Sequence, residues 1–148
     1  MSTANQLTFD DTCMVRDTCL CLHLQRAARA VARRFDAAFR RFDLTNGQFS
    51  LLMSLNRPEA ASMRDVAGLL AMDRTTLTAA LKPLERRGLL SVTVDPQDRR
   101  SRRLTLTPQG RAVLAAALPV WQREHAAIDA TFGHAGVTRL RGDLGTLA

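Results

Sequence analysis

The chain has little of what marks a membrane, secreted or catalytic protein. No apolar run in its 148 residues approaches the roughly 18 needed to cross a bilayer, and the amino terminus lacks a basic-then-apolar export signal. No membrane partner is expected, and the placement expected is cytoplasmic. Cysteine is scarce and odd in number: Cys13, Cys19 and Cys21 are bunched together and do not form a disulfide framework. Tyrosine is absent, tryptophan occurs once, and Lys82 is the one lysine among 21 basic residues. Arginine preference can reflect genome base composition, so the sign of the charge carries more weight. A formal charge of +7, with a pI near 11.1, predicts a polyanionic partner. No coherent set of acid, base and nucleophile is present, so an enzyme is not expected and neither is a cofactor. The competing class would be a small thiol-dependent peroxidase using Cys19 or Cys21. A non-specific basic architectural protein is favoured by charge alone.

What is present is organised around residues 63–81, whose periodicity predicts two short helices crossing at close range. Met63, Val66, Ala67 and Leu70 recur at helical spacing behind Ser62, an N-cap acceptor. Leu77, Leu81 and Leu84 mark the inner face of the second helix, with Asp73 in the capping position. The short turn and the small Ala67 and Ala71 give the pattern of a helix-turn-helix. With the leucines turned inward, the outward arc of the second helix is Thr75, Thr78, Ala79, Lys82 and Arg86, with Arg74 at its amino end and Thr76 beside it. Short hydroxyls and a methyl let a helix lie deep in a major groove, and arginine can grip guanine or phosphate. Taken alone, such an arc is equally a solvated helix face. Pro83 lies inside this helix and predicts a kink, leaving Arg74 to Ala79 as the straight portion.

In chain order, residues 1–17 are polar and aperiodic and are read as a flexible arm. Residues 18–44 carry a long amphipathic helix whose stripe runs through Leu24, Ala28, Val31, Phe35, Ala38 and Phe42, flanked by arginines. A stripe this long overreaches a helix-turn-helix and predicts a second subunit. Residues 45–107 form the DNA-binding lobe, with Thr45 capping a helix that carries Phe49, Leu52, Met53 and Leu55. Leu89–Val94 and Arg103–Leu106 alternate as strands around a basic tip, a wing bearing Arg99, Arg100 and Arg102. Residues 108–148 begin with Thr107-Pro108, an N-cap before proline, and continue as a helix through Trp121 and Phe132. Pro119 is expected to bend that helix, Gly133 and Gly136 to interrupt it, and a short last helix to follow. The fold class expected is mainly α with a small β-hairpin wing: a winged helix-turn-helix with long N- and C-terminal dimerisation helices.

In its residues the chain resembles the MarR family of winged helix-turn-helix transcriptional regulators. The resemblance rests on Leu44-Thr45 with Gln48, the run from Met72 to Thr78, Leu84-Glu85-Arg86-Arg87-Gly88-Leu89, Asp95 to Arg100, and Leu106-Thr107-Pro108-Gln109-Gly110. It implies a homodimer on a near-palindromic double-stranded DNA operator, Arg100 in the minor groove and Asp98 bracing the wing. It further implies a repressor released by a small-molecule effector or an oxidant. Cys21, preceded by Leu20, stands where the hydroperoxide-sensing branch carries its reactive cysteine, but that branch holds the thiolate with tyrosines and this chain has none. A small buried apolar Cys21 is therefore the favoured expectation. Cys19, Cys21 and His23 also invite a zinc reading, yet residues two apart on a helix point about 200° apart, and no metal is expected. An effector cavity lined by His23, Phe39, Phe49, Met53 and Trp121 would suit aromatic or acyl molecules.

Overall fold

The computed structural model describes residues 6–148, and the chain divides into two compact units, Met1–Arg34 and Phe35–Ala148. The first unit begins with α1 (Phe9–Thr18), where the sequence suggests a flexible arm. The helix starts at a reciprocal cap. Asp11 N–H donates to the Thr8 hydroxyl at 3.3 Å, and Thr8 N–H donates to the Asp11 carboxylate at 2.9 Å. No residue of α1 is buried, so the apolar periodicity that would reveal a helix is missing. Residues 1–5 of the expected arm lie outside the described residues. Helix α1 ends at Cys19, whose backbone turns extended, and α2 (Leu20–Phe39) follows. Its apolar stripe changes character along its length: Val31 is exposed, whereas Phe35 and Phe39 are buried.

Within the second unit a 3-10 turn (Arg40–Phe42) closes α2 and ends in the left-handed Asp43. The core then draws on α3 (Asn46–Ser54), β1 (Ala61–Ser62), α4 (Met63–Leu70), α5 (Arg74–Arg86), β2 (Leu90–Val94), β3 (Arg102–Leu106) and α6 (Pro108–Gly145). Thr45 with Gln48, and Ser62 with Asp65, form capping boxes that start α3 and α4 at the positions their sequence patterns predict. Ala71 adopts a left-handed conformation to end α4. Val66, Leu77, Leu81 and Leu84 are buried where α4 and α5 face the core. The sheet is antiparallel with order β1-β3-β2, pairing Leu90 with Leu106, Val92 with Leu104 and Ala61 with Leu104. The two-residue β1 makes this three strands rather than a bare hairpin.

Two expectations about helix breakers separate here. Helix α5 runs unbroken through Pro83, where a kink is predicted. The carbonyl that loses its partner belongs to Ala79, which is exposed, so water can replace the missing N–H near the helix end. In α6 the helical path continues through Pro119 and is broken at Gly133, whose φ of 71° and ψ of 163° few other residues adopt. Arg141 beyond the break reaches back to both oxygens of Asp129 at 2.9 and 3.0 Å. The junction between wing and α6 is equally specific. The Thr107 hydroxyl donates to the Gly88 carbonyl at 2.6 Å and accepts from Gly110 N–H at 3.0 Å. A Cβ at Gly110 would lie 2.0 Å from the Leu89 carbonyl oxygen, so glycine is required by contact.

Candidate nucleic-acid interface

Helix α5 owes its orientation to the leucines buried beneath it, which leave Arg74, Thr75, Thr78, Ala79 and Lys82 together on one exposed face. Arg86 is exposed one turn further on. The β2–β3 hairpin places Arg100 and Arg102 beside the same helix, in a cleft also lined by Arg74, Thr78, Lys82 and Glu85, with Met63, Leu81 and Val92 completing its lining. Residues distant in sequence thus form one cationic surface containing a single carboxylate. Arg99 is exposed at the hairpin tip and does not line this cleft; its carbonyl accepts from Arg102 Nη1 at 3.2 Å.

The hydroxyls divide their roles differently from the sequence expectation. Thr76, grouped there with the DNA-facing residues, serves as part of the α5 cap. Its N–H and hydroxyl donate to the two Asp73 oxygens at 2.8 and 2.7 Å. These bonds, the backbone one foremost, hold the Asp73 carboxyl below its ordinary pKa. The Thr78 hydroxyl donates to the Arg74 carbonyl at 2.7 Å. The Thr75 hydroxyl has no partner among the described residues.

At the wing, Asp98 accepts from Arg100 N–H at 3.0 Å and from the Ser101 hydroxyl at 2.8 Å. Those bonds, in that order, lower its pKa and hold the loop that presents Arg100. A second brace has no counterpart in the sequence reading. Asp95, 7% exposed, accepts from Arg103 Nε at 2.8 Å and from Gln97 N–H at 2.9 Å, while Arg103 Nη1 donates to the Ala60 carbonyl at 3.4 Å. Arg103 therefore belongs to the support of the hairpin rather than to its outward charge. The available signal was an acid and a base eight residues apart across a hairpin, but within a run of arginines it does not say which one turns inward.

The expected effector residues are partly assembled. Phe49, Met53 and Trp121 line a cavity of about 330 Å³ with Ser50, Ser54, Leu69 and Leu118. Phe39 is buried behind it, its ring stacked on Phe49 at 4.6 Å, and Trp121 packs against His125 at 4.5 Å. His23 belongs to the first unit, where it is exposed on α2 with Nδ1 2.8 Å from the Cys19 carbonyl oxygen. Cys21 is exposed rather than buried, and its Sγ accepts from Gln25 Nε2 at 3.1 Å. It lies three residues before Leu24, on the same side of α2 as Ala28 and Val31, which are themselves exposed. Cys13 and Cys19 are half-buried free thiols. Among the described residues no three His, Cys, Asp or Glu side chains converge as metal ligands, and no helix is long and apolar enough to cross a membrane.

The sequence profile of the MarR family matches residues 44–101, from the start of α3 to the wing. The transcriptional regulator MosR of M. tuberculosis, solved in complex with DNA, is 36% identical, with a TM-score of 0.80 over 87% of this chain and 92% of that one. This chain belongs to the MarR family. Its fold is accordingly the winged helix-turn-helix of a family of DNA-binding transcriptional regulators. The transcriptional repressor CouR, bound to a 23-mer DNA duplex, is similar at 30% identity and a TM-score of 0.79, over 97% of this chain and 99% of that one. The transcriptional activatory protein BadR of Rhodopseudomonas palustris is 41% identical over 73 residues, 47% of this chain. The match spans 42% of BadR's own length, less than half of that relative.

Proposed function

We propose that this MarR-family chain is a sequence-specific double-stranded DNA-binding transcriptional regulator that works as a homodimer, represses by occupying a near-palindromic operator, and lets go when a small molecule binds. The observation that carries the reading is the exposed face of α5 lying beside Arg100 and Arg102. A groove-sized helix with short side chains, next to a cationic hairpin, can read base edges while arginines hold phosphates or enter the minor groove. MosR and CouR, both solved on DNA, support it.

Pairing is supported by apolar side chains left exposed on the terminal helices: Phe9, Val15 and Leu20 on α1 and α2, and Leu140 and Leu144 on α6. Residues 18–44 and 108–148 are the dimerisation segments in this reading, and 45–107 the DNA-binding lobe. The cavity at Phe49, Met53 and Trp121 is the effector site, and the protein acts where DNA is, in the cytoplasm, without catalysing a reaction. One observation favours a redox reading, the exposure of Cys21. Its neighbour is the neutral Gln25 amide rather than a cation or phenol, and so the small molecule is preferred.

The test is binding of the full chain to a duplex containing the inverted repeat beside its coding region and to a random duplex, each across a salt series. A regulator holds the repeat at least about a thousandfold more tightly. Equal affinity for both, with the same salt slope, would identify a non-specific basic protein instead.

A further inference from the structure

The far end of α5 is tied to a distant turn. Arg87, immediately after the helix, sends Nη1 to the Asp43 carbonyl at 2.6 Å and Nη2 toward the Phe42 carbonyl at 3.5 Å. Both acceptors lie in the turn between α2 and α3, and Asp43 is held there in a left-handed conformation. The Asp43 carboxylate is 3.6 Å away but 94% exposed, so the carbonyls are the substantial partners. The opposite end of α5 is fixed by the Asp73 cap and the short turn from α4.

We propose that Arg87 is a positioning residue: by clamping the carboxyl end of α5 to the Phe42–Asp43 turn it sets the tilt of the DNA-reading helix, and hence the half-site spacing that a dimer accepts. The geometry gives the scale. A helix of 13 residues is about 20 Å long, so a tilt of about 10° moves one end by about 3.4 Å, one base-pair step. With the amino end fixed by the Asp73 cap, it is the carboxyl half of α5, with Lys82 and Arg86, that can follow a half-site displaced by up to that step once Arg87 lets go; held at both ends, it cannot. Lysine cannot reproduce the two-limbed donation of a planar guanidinium and replaces it only in part.

This inference rests on the DNA-binding reading, and the wild-type protein tests that reading first: failure to distinguish operator from random DNA removes the reading itself. If the wild type does discriminate, the full chain carrying Arg87→Ala, Arg87→Lys or Asp43→Asn is titrated against the operator and a copy with one base pair inserted between half-sites. In Arg87→Ala the preference for native spacing falls by about tenfold, the scale of a lost charged hydrogen bond, and Arg87→Lys falls between it and wild type. Asp43→Asn, which keeps both carbonyls, retains the wild-type preference. The salt slope is unchanged throughout, because the Arg87 guanidinium is committed to the Asp43 and Phe42 carbonyls. A uniform loss on both duplexes, a reduced salt slope, or loss of folding in both Arg87 variants overturns the proposal.

Discussion

Replacing Arg103 by alanine tests whether the hairpin is held by the buried carboxylate at its base. In the wild type the Asp95 side chain is 10% exposed and accepts two hydrogen bonds, from Arg103 Nε and Gln97 N–H. Alanine removes the cation and leaves a nearly buried carboxylate with a single donor. Breaking a fully buried pair costs about 3–5 kcal/mol. The Arg103 side chain is 38% exposed, so water can partly replace it and the expected cost is nearer about 2 kcal/mol. At roughly 2–4 °C per kcal/mol for a chain of this size, Tm should fall by about 4–8 °C. Urea unfolding of the wild type, Arg103→Ala, Asp95→Asn and the double variant forms a cycle, in which a coupling of about 1–2 kcal/mol is expected. Operator affinity at fixed salt should fall with the stability, because β3 loses its tie to Ala60 as the wing loses its base. If Arg103→Ala unfolds within about 0.5 kcal/mol of wild type, the brace is ornamental and the reasoning fails.

Thr75→Ala should relax base preference with little change in salt slope, whereas Arg100→Ala should weaken operator binding by about 1–3 kcal/mol; uniform losses on random DNA in both would contradict these assignments. Gly110→Ala places a methyl against the Leu89 carbonyl and should destabilise by about 1–3 kcal/mol or prevent folding, as judged by circular dichroism. The carboxyls of Asp65, Asp73 and Asp98 are lowered by their cap and loop hydrogen bonds. Their contribution is complete above the unfolded-state value of about 3.9 and is lost as pH falls through the lower folded values, so these groups should leave unfolding free energy flat from pH 5 to 8. Cys21→Ser should leave operator binding and its response to peroxide unchanged; release by peroxide that disappears in this variant would transfer the signal to the thiol.

The helix-turn-helix and wing were legible because each is written locally. Ser62, Asp73 and Thr107 are cap residues at the right offsets, the leucines of α5 repeat with the helix, and Arg87-Gly88 marks its end. Helix α1 was not legible, since it buries nothing and has a cap but no stripe. The wing braces were half legible: Asp98 bonds within its own loop, whereas the Asp95–Arg103 pair depends on strand register that no short motif encodes. Arg87 could be read as a helix end, but its clamp spans 44 residues and depends on the tertiary path. Cys21 is exposed where a buried thiol is expected, because the lack of tyrosine bears on thiolate chemistry and not on where the side chain sits.

The bond from Thr78 to the Arg74 carbonyl has a chemical consequence for operator composition. With its proton committed to the helix, this side chain meets a major groove as lone pairs and a methyl. Guanine offers only acceptors there, so the threonine oxygen and the guanine edge have no hydrogen to share. Adenine and cytosine each bring an amino group that the oxygen can receive, and thymine brings a methyl against which the threonine methyl can pack. A side chain that usually serves as donor or acceptor is thereby reduced to half its vocabulary, and a base set against it would be selected partly by what the helix backbone has already taken.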